Sequence, residues 1–417
     1  MKVFAGLGLA LTLCLTWCCG AAEAGSGHYL TRLNAAVDGI AKDLPSITRS
    51  AEAAAKRFVE EKQGISVWGD AGFVTEALGR AGGVMAVKAG SSKKDSPICE
   101  VMLLAPKEDK LAESVSAAAT NRKSGGLVIG FGRADLMEQA RKAGVEFDFV
   151  IDTHIEKGKV PLDPAAQNTA LWVWTGEFVS ACTRLGAMPT MYQSIMVPGS
   201  RERNAALKGV TVCPGKVEQI PPGRLGGEYI KELRDRLAFL AGVENGKILE
   251  AAKRASAARL AGKTAYGYCH GHSVMNTLGR SDNPGMLVGM KADWYKPKDG
   301  IVLKSGDFVL MVGYDWLCQG PVWGDFAAKA REAGAGVAWS FTDYKKEDVA
   351  AVAPDEIWIN QHWALGDAEV AVSGYDVRIL PISGVIAEAV LGMVEAEMVL
   401  LEGAAGKTAG SAAATEK

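Results

Sequence analysis

The stretch Ile65-Ser66-Val67-Trp68-Gly69-Asp70-Ala71-Gly72 runs a short apolar segment into a glycine-rich turn, and Leu78-Gly79-Arg80 follows it closely. The same order of features is repeated 200 residues later. There, Thr264 to Tyr268 leads into Cys269-His270-Gly271-His272, and Leu278-Gly279-Arg280 follows. Each copy predicts a strand, a tight turn and a helix that carries the Leu-Gly-Arg triplet. Self-similarity of this kind indicates an internal repeat.

Further pairs of stretches match in the same order along the chain. They are Ala54–Arg57 with Ala251–Arg254, the strands Leu127–Gly130 and Phe308–Gly313, and the helices after Thr175-Gly176 and after Ser383-Gly384. The second copy has a longer loop from Tyr314 to Gly324. The order of the matches predicts that the chain arose by duplication of one domain.

The alternation of short apolar strands with helices indicates an α/β fold. Such alternation is typical of βαβ units and a parallel sheet. Runs such as Phe308 to Val312 are apolar at every position, as expected of strands covered by helices on both faces. We therefore predict two doubly wound, flavodoxin-like parallel-sheet domains, 25–222 and 223–401, followed by a disordered tail, 402–417. In such sheets, ligands bind beyond the carboxyl ends of the strands.

Composition excludes several classes of protein. The chain has 417 residues, and its 46 basic and 48 acidic residues leave a formal net charge of −2. A nucleic-acid-binding domain usually has a basic excess, so no nucleic-acid partner is expected. Neither the dinucleotide pattern Gly-x-Gly-x-x-Gly nor the Gly-Lys-Ser/Thr of a P-loop is present, so no cofactor is predicted. The 49 glycines are expected in the turns of the repeated βα units.

The amino terminus predicts export. Lys2 precedes an apolar run from Phe4 to Trp17, and Ala22-Glu23-Ala24 has small residues where a signal peptidase reads. Residues 1–24 are therefore interpreted as a signal peptide, and the protein as periplasmic or extracellular, with no stable membrane span after cleavage. An uncleaved anchor and a lipoprotein modified at Cys18 are the alternatives. The remaining cysteines are too scattered to indicate a disulfide framework.

The repeated pattern resembles the sugar isomerase (SIS) domain family, whose members often carry this domain in tandem. The resemblance rests on Trp68 to Ala77, on Ser305-Gly306-Asp307-Phe308-Val309, on Ala330 to Ala335 and on Ile379-Leu380-Pro381-Ile382-Ser383-Gly384-Val385. It covers nearly all of the chain after residue 24. It implies a doubly wound fold that binds phosphosugars and, in some members, isomerises them. A homodimer is a further expectation.

The loops that would bind the phosphate depart from the family pattern. Members that bind phosphosugars place serines and threonines in a loop after the second strand, where they cradle the phosphate at a helix N-terminus. The loops Ile129 to Asp135 and Val312 to Gln319 contain no serine and no threonine. We therefore expect an uncharged carbohydrate derivative. The predicted ligand-binding residues are Gly69, Asp70, Thr75, Arg133, His270, Gly271, Ser273, Tyr314 and Asp315.

Two residues are catalytic candidates. His272 belongs to the dense cluster Tyr268-Cys269-His270-Gly271-His272-Ser273, and its imidazole is suited to proton transfer near neutral pH. Glu388 lies in the closing helix of the second copy. The cluster is also compatible with a metal held by His270 and His272, or with a polar loop without chemistry. No metal is predicted.

Three functions remain open from the sequence. The leading prediction is an exported SIS-domain protein that binds a carbohydrate derivative, with sugar-isomerase-type activity as an extension. The second is a catalytically silent protein that uses the fold for binding or scaffolding. The third is a metal-dependent enzyme built on His270 and His272.

Overall fold

The computed structural model describes residues 25–90, 100–213, 215, 217–290, 292–293, 296–297, 301–313, 323–344 and 346–406. The signal peptide expected over 1–24, the binding candidates Tyr314 and Asp315, and residues 407–417 of the expected tail lie outside these residues. Among the described residues, no helix combines the length and the hydropathy that a bilayer crossing requires.

The first domain opens with two helices and then alternates strands with helices. Its elements are α1 (Ser26–Lys42), α2 (Leu44–Val59), β1 (Gly64–Gly69), α3 (Ala71–Ala77), β2 (Val87–Ala89), β3 (Glu100–Ala105), a 3-10 turn (Glu108–Lys110), α4 (Leu111–Lys123), β4 (Leu127–Gly132), α5 (Ala134–Ala143), β5 (Phe149–Asp152) and α6 (Asp163–Arg184). Helix α7 (Ser200–Ala206) lies in the connection to the second domain.

The second domain repeats this order. Its elements are α8 (Arg224–Phe239), a π-helical turn (Leu240–Glu244), α9 (Asn245–Leu260), β6 (Ala265–Cys269), a 3-10 helix (Val274–Gly279), β7 (Val288–Gly289), β8 (Ala292–Asp293), β9 (Lys296–Pro297), β10 (Phe308–Val312), α10 (Trp323–Glu332), β11 (Gly336–Phe341), α11 (Lys346–Ala350), β12 (Ile357–Asn360) and α12 (Ser383–Ala404).

The two domains form parallel five-stranded sheets with the same topology. The first sheet has the order β2-β1-β3-β4-β5, and the second, taken from its β7 edge, has the order β7-β6-β10-β11-β12. Every strand pair within these two sheets is parallel. This order, with the first strand of each domain second in its sheet, is that of flavodoxin-like folds. The prediction of two α/β domains with doubly wound parallel sheets is confirmed.

Side chains from both faces of each sheet are buried, because successive residues of a strand point to opposite faces. In β3, Val101 and Leu103 point into a large core that both domains share, and Met102 and Leu104 point into an outer core under α4 and α5. The second sheet divides in the same way, with an outer core that includes α10. Helices α6 and α12 lie in the shared core and are buried along almost their whole length.

Three details differ from the sequence prediction. The Leu-Gly-Arg triplet of the first copy follows α3, which ends at Ala77, and the triplet of the second copy overlaps the end of a short 3-10 helix. Thr175-Gly176 lies in the middle of α6, which begins twelve residues earlier, at Asp163. The closing helix α12 extends to Ala404, into the stretch expected to be tail, because buried Glu402 binds Arg259 of α9.

The predicted match between the strands at Leu127 and Phe308 is also wrong. Strand β10, which begins at Phe308, occupies the third position of its domain and is equivalent to β3, whereas Leu127 begins the fourth strand, β4. A pair of hydrogen bonds supports the corrected alignment. The Asp70 N–H after β1 donates to the Ala105 carbonyl at the end of β3, and the His270 N–H after β6 donates to the Val312 carbonyl at the end of β10.

Candidate binding site

The turns that follow β1 and β6 contact each other across the boundary between the two domains. Asp70 caps α3, with its Oδ1 accepting the N–H of Gly72 at 2.9 Å. Gly69 ends β1 with φ +103°, and a Cβ there would lie 1.8 Å from the Ala105 carbonyl oxygen. The strand end and the cap therefore require glycine and aspartate for structural reasons. These two predicted ligand-binding residues shape the turn.

Thr75 and His272, which the sequence places in different copies, contact each other across the domain boundary. His272 Nδ1 lies 2.9 Å from the Thr75 carbonyl oxygen, and the Thr75 hydroxyl lies 3.0 Å from the His272 carbonyl oxygen. Asn276 Nδ2 also donates to the Thr75 hydroxyl at 3.0 Å. The polar groups of this pair are thus engaged in joining the domains.

The arginines of the two Leu-Gly-Arg triplets cross the domain boundary in opposite directions. Arg80 of the first domain lies 3.1 Å from an Asp367 carboxylate oxygen and donates to the Ser383 hydroxyl at 2.8 Å. Arg280 of the second domain pairs with Asp70 at 2.6 Å. Each arginine also pairs within its own domain, Arg80 with Glu76 and Arg280 with Asp282.

Arg133, at the carboxyl end of β4, is surrounded by carboxylates. It pairs with Asp135 at 2.7 Å and with Asp163 at 3.0 Å, and it also contacts Glu108. Its side chain is only 4% exposed. The sequence placed Arg133 among the ligand-binding residues, and the structure places it inside this ion-pair cluster.

Glu388 contacts the last residue of the histidine cluster and the short 3-10 helix that follows it. Its carboxylate accepts hydrogen bonds from the Ser273 hydroxyl at 2.6 Å and from the Thr277 hydroxyl at 2.8 Å. The residue is 2% exposed, and this burial raises the pKa of its carboxyl to about 7. The structure thus brings together the predicted residues Ser273 and Glu388, in the core of the second domain.

The two histidines of the cluster are held in their neutral form. Burial lowers the pKa of His270 to about 4 and, with the nearby Arg80 charge, lowers the pKa of His272 to about 3. His270 Nδ1 lies 3.4 Å from the Tyr268 hydroxyl. Gly271 separates the two histidines with φ +136°. Within the described part of the chain, no group of three or more His, Cys, Asp or Glu side chains is arranged to hold a metal.

A polar network at the end of the second sheet was missed by sequence reasoning. The Gln361 amide donates to the carbonyls of Gly313 and Ser340, and its oxygen accepts from the Trp363 indole at 2.9 Å. Next to it, the His362 N–H donates to the Asn360 side chain at 2.8 Å and φ is +52°. This network fixes the strand ends of β10, β11 and β12.

The first domain has an equivalent of this turn. After β5, the His154 N–H donates to the Asp152 side chain at 2.9 Å, and His154 has φ +53°. The signal for this equivalence was present in the sequence as Ile151-Asp152-Thr153-His154 and Ile359-Asn360-Gln361-His362. The side chains differ in their contacts, since His154 pairs with Asp43 at 2.7 Å and His362 stacks on Phe239 at 4.1 Å.

The carboxyl edges of the two sheets differ in charge. We compare the four residues that follow each of the long strands. After β1, β3, β4 and β5 these include Asp70, Lys107, Glu108, Asp109, Arg133, Asp135 and Glu156. After β6, β10, β11 and β12, the described residues include one charged side chain, Asp343. The other described groups at the second edge are imidazoles, hydroxyls, amides and aromatic rings. The same four-residue stretches of the sequence also contain Asp315 and Lys345, which lie outside the described residues, so the second edge has three charged residues against seven at the first.

Comparison with solved structures finds chains of similar extent at low identity. The C-terminal domain of glucosamine-fructose-6-phosphate aminotransferase from Francisella tularensis has 10% identity and a TM-score of 0.48, covering 88% of this chain and 96% of its own. A suggested phosphosugar isomerase from Clostridium difficile has 10% identity and a TM-score of 0.49, covering 91% and 93%. Tagatose-6-phosphate ketose/aldose isomerase from Escherichia coli has 11% identity and a TM-score of 0.41, covering 92% and 97%.

No protein-family model and no curated protein matches the sequence. With TM-scores of 0.49 or less, the similarity to these three structures does not assign an activity to this chain.

Proposed function

We propose that this protein binds an uncharged carbohydrate derivative at the carboxyl edge of the second sheet. The proposal combines the SIS-like sequence pattern with the position of the edge, since ligands of open α/β sheets bind beyond the carboxyl ends of the strands. The chemical class of the ligand follows from the side chains at that edge.

The observation that carries the proposal is the difference in charge between the two edges. The second edge offers the exposed His362, the carboxylate of Asp343 and the half-buried ring of Tyr344. Hydrogen-bonding groups beside aromatic rings suit a neutral polyol, because ligand sites combine apolar walls with a few polar groups that fix orientation. The first edge is instead closed by the ion pairs of Arg133 and Arg280.

The same contacts argue against a phosphate ligand. Binding a phosphate requires free donors, usually an arginine, a lysine or a helix N-terminus with hydroxyls nearby. Arg80, Arg133 and Arg280 each have two or more carboxylate or hydroxyl partners. A phosphate that paired with one of these three arginines would have to displace a carboxylate from it.

Binding is better supported than isomerisation. A general acid or base works best with a pKa near the operating pH. The imidazoles of His270 and His272 are neutral at pH 7, with pKa values lowered to about 4 and about 3 by burial. Glu388 has a pKa of about 7, but it is buried under Ser273 and Thr277. None of these groups has the exposure and the pKa that proton transfer to a bound sugar needs.

Isothermal titration calorimetry with neutral sugars, amino sugars and hexose monophosphates tests this proposal. We expect binding of a neutral or N-acetylated sugar and none of the phosphates. His362→Ala should weaken that binding about tenfold, as expected for the loss of about 1.4 kcal/mol. The matched control is His154→Ala, which removes the equivalent histidine at the first edge. Preferential binding of a hexose phosphate, or equal affinities in the two variants, would contradict the proposal.

We also propose that the protein is exported and that the chain is cleaved after Ala24. The support is the arrangement of Lys2, the apolar run and Ala22-Glu23-Ala24. Expression with the complete amino terminus, followed by amino-terminal sequencing of the protein outside the cytoplasm, tests the proposal. Gly25 is the expected first residue. Retention of residues 1–24 on a membrane-bound product would favour the anchor instead.

A further inference from the structure

Helix α12 carries three buried glutamates at a spacing of seven residues. Glu388, Glu395 and Glu402 are 2%, 1% and 3% exposed. A spacing of seven places them on one face of the helix, since seven residues make almost two turns. Buried carboxylates are costly unless they are paired or neutral. Each of the three carboxyl groups therefore needs either a charged partner or a proton.

The first two glutamates have neutral partners, and the third has a charged one. Glu388 accepts from the hydroxyls of Ser273 and Thr277, and Glu395 accepts from the Asn283 amide at 3.0 Å. The second oxygen of Glu395 has no hydrogen-bond partner among the described residues. Glu402 instead pairs with the Arg259 guanidinium at 2.8 Å. Glu388 and Glu395 thus lack the direct cation that compensates Glu402.

The partners of Glu388 and Glu395 all lie in one segment, His270–Leu287, called here the 270–287 segment. On its other side the segment contacts the first domain. Arg280 pairs with Asp70, and the Ser273 N–H donates to Glu76 at 3.3 Å. The segment therefore lies between α12 and the first domain, and it includes the histidine cluster at the second edge.

The surroundings of the two carboxyls contain few compensating charges. The titratable and charged groups that act on this pair, or on Tyr29 within the same cluster, are Tyr29 and Arg32 of α1, Glu76 of α3, Asp163 of α6, Arg259 of α9, Cys269 of β6 and Arg280 of the segment itself. Arg280 already pairs with two aspartates and Arg259 with Glu402, so neither is free to neutralise an ionised Glu388 or Glu395 directly.

We propose that Glu388 and Glu395 form a proton-sensitive contact that holds the 270–287 segment closed when the carboxyls are protonated and releases it when they ionise. A protonated carboxyl can both accept from and donate to the hydroxyl and amide groups that face it. An ionised pair is poorly solvated in this core, and the two charges repel each other. Opening of the segment gives both carboxylates access to water.

The direction of the response follows from the effect of burial. Burial raises the pKa of Glu388 to about 7 and that of Glu395 to about 8. In the open form the carboxyls are solvated and return toward their ordinary pKa of 4.5. The closed form binds protons more tightly, so it loses stability relative to the open form as the pH rises through 7 and 8.

Hydrogen exchange of the whole protein, measured by mass spectrometry at pH 6 and pH 9, tests this proposal. After correction for the intrinsic exchange rate at each pH, we expect the opening of peptides within the 270–287 segment to increase at least about tenfold at pH 9. Glu388→Gln combined with Glu395→Gln should abolish most of this increase, because a glutamine cannot ionise. Glu402→Gln, the matched control on the same helix face, should retain it.

Two results would overturn the proposal. One is equal protection of the segment at pH 6 and pH 9 in the unmodified protein, which needs no variant and so does not depend on whether a substitution is tolerated. The other is an unchanged increase in the double variant, given normal helix content at pH 6. Loss of the increase in Glu402→Gln as well would show that general loosening of α12 is the cause.

Discussion

The two closing helices, α6 and α12, occupy equivalent places in their domains, but the buried polar side chains near their starts differ in hydrogen bonding. Both contain 22 residues and are buried along most of their length. The sixth residue of α12 is Glu388, which binds Ser273 and Thr277, and the sixth residue of α6 is Asn168, whose amide has no hydrogen-bond partner among the described residues. Counted from β1 and β6, the equivalents of Ser273 and Thr277 are Phe73 and Ala77.

This difference shows that two domains of the same topology solve the same packing problem in different ways. In the first domain an apolar contact replaces the polar one, with the Phe73 and Phe131 rings 5.1 Å apart. The strand ends of that domain are closed by ion pairs. The second domain retains hydroxyls, amides and titratable carboxyls near its strand ends. We infer that the first domain mainly supports the second, and the following predictions test that division.

The largest expected effect concerns the two crossing arginines. Arg80 is 1% exposed, and its replacement by alanine would leave Glu76 and Asp367 buried without a cation. We expect Arg80→Ala to lower the free energy of unfolding by about 3–5 kcal/mol. Arg280→Ala should cost less, about 1–3 kcal/mol: it removes the cation from one buried carboxylate, Asp70, which keeps its hydrogen bond from the Gly72 N–H, and water can solvate Asp282, which is 34% exposed. Urea unfolding measures both. A larger loss for Arg280→Ala would reverse the comparison.

The next effect concerns Asn168 and Glu388 themselves. Glu388→Leu would leave two buried hydroxyls without their acceptor, at a cost of about 1–3 kcal/mol. Asn168→Leu removes a buried amide that has no partner, so we expect it to stabilise the protein by about 1 kcal/mol. Thermal unfolding of both variants at pH 6 is the measurement. If Asn168→Leu also destabilised the protein, the Asn168 amide would have a partner in the folded state. The proposed difference in pairing between Asn168 and Glu388 would then be wrong.

A smaller effect is the acid sensitivity of the second domain. The pKa of His270 is lowered by burial to about 4, below its ordinary value of 6.5. The folded protein therefore binds fewer protons than the unfolded chain below pH 6.5, and stability falls as the pH decreases from there. We expect His270→Gln to reduce the loss between pH 7 and pH 5 by about 1–2 kcal/mol. His154→Gln serves as the control, and an equal reduction in that variant would contradict the assignment.

The smallest effect is expected at the charged first edge. Lys157 is 64% exposed and pairs with Glu108, which is 40% exposed. Exposed ion pairs contribute little, so Lys157→Ala should change the free energy of unfolding by less than about 0.5 kcal/mol. Denaturant unfolding at low and high salt checks this. A loss above about 1 kcal/mol would mean that the ion pairs at this edge act as one network with Arg133.

The repeated architecture could be predicted from local sequence, and the pairing of its strands could not. Apolar runs such as Phe308–Val312 and the turn after Gly69 identify strands and turns because their residue types have local preferences. The strand at Leu127 is aligned with the wrong partner because the match rests on the Ser-Gly dipeptides that precede the two strands, Ser124-Gly125 and Ser305-Gly306, and a dipeptide is too short a signal. Strand order depends on contacts between distant residues, which a single sequence does not display.

The sequence named several residues that lie near one another in the structure, but it did not show the partners that each of them contacts. Thr75, His272, Ser273 and Glu388 lie close to the contact between the domains. The sequence placed the first three after strands and Glu388 in the closing helix, but it did not predict a contact between the two copies. Their partners, however, come from residues more than 100 positions away. For this reason the sequence could not show that Asp70 binds Arg280. The carboxylates around Arg133 are nearer in sequence, at Glu108, Asp135 and Asp163, but only the fold brings all three to one guanidinium.

The crossing of Arg80 and Arg280 has a consequence for folding and for the origin of the chain. Neither domain satisfies the buried polar groups of its contact surface by itself, so we expect the two sheets to unfold in a single cooperative transition. In a symmetric dimer, a contact made by residue i of one subunit to residue j of the other occurs twice. Arg80 and Arg280 occupy equivalent positions and both cross the boundary, which suits an ancestor that paired with a copy of itself. Their partners are no longer equivalent, since Arg280 binds Asp70, whose counterpart is His270, and Arg80 binds Asp367.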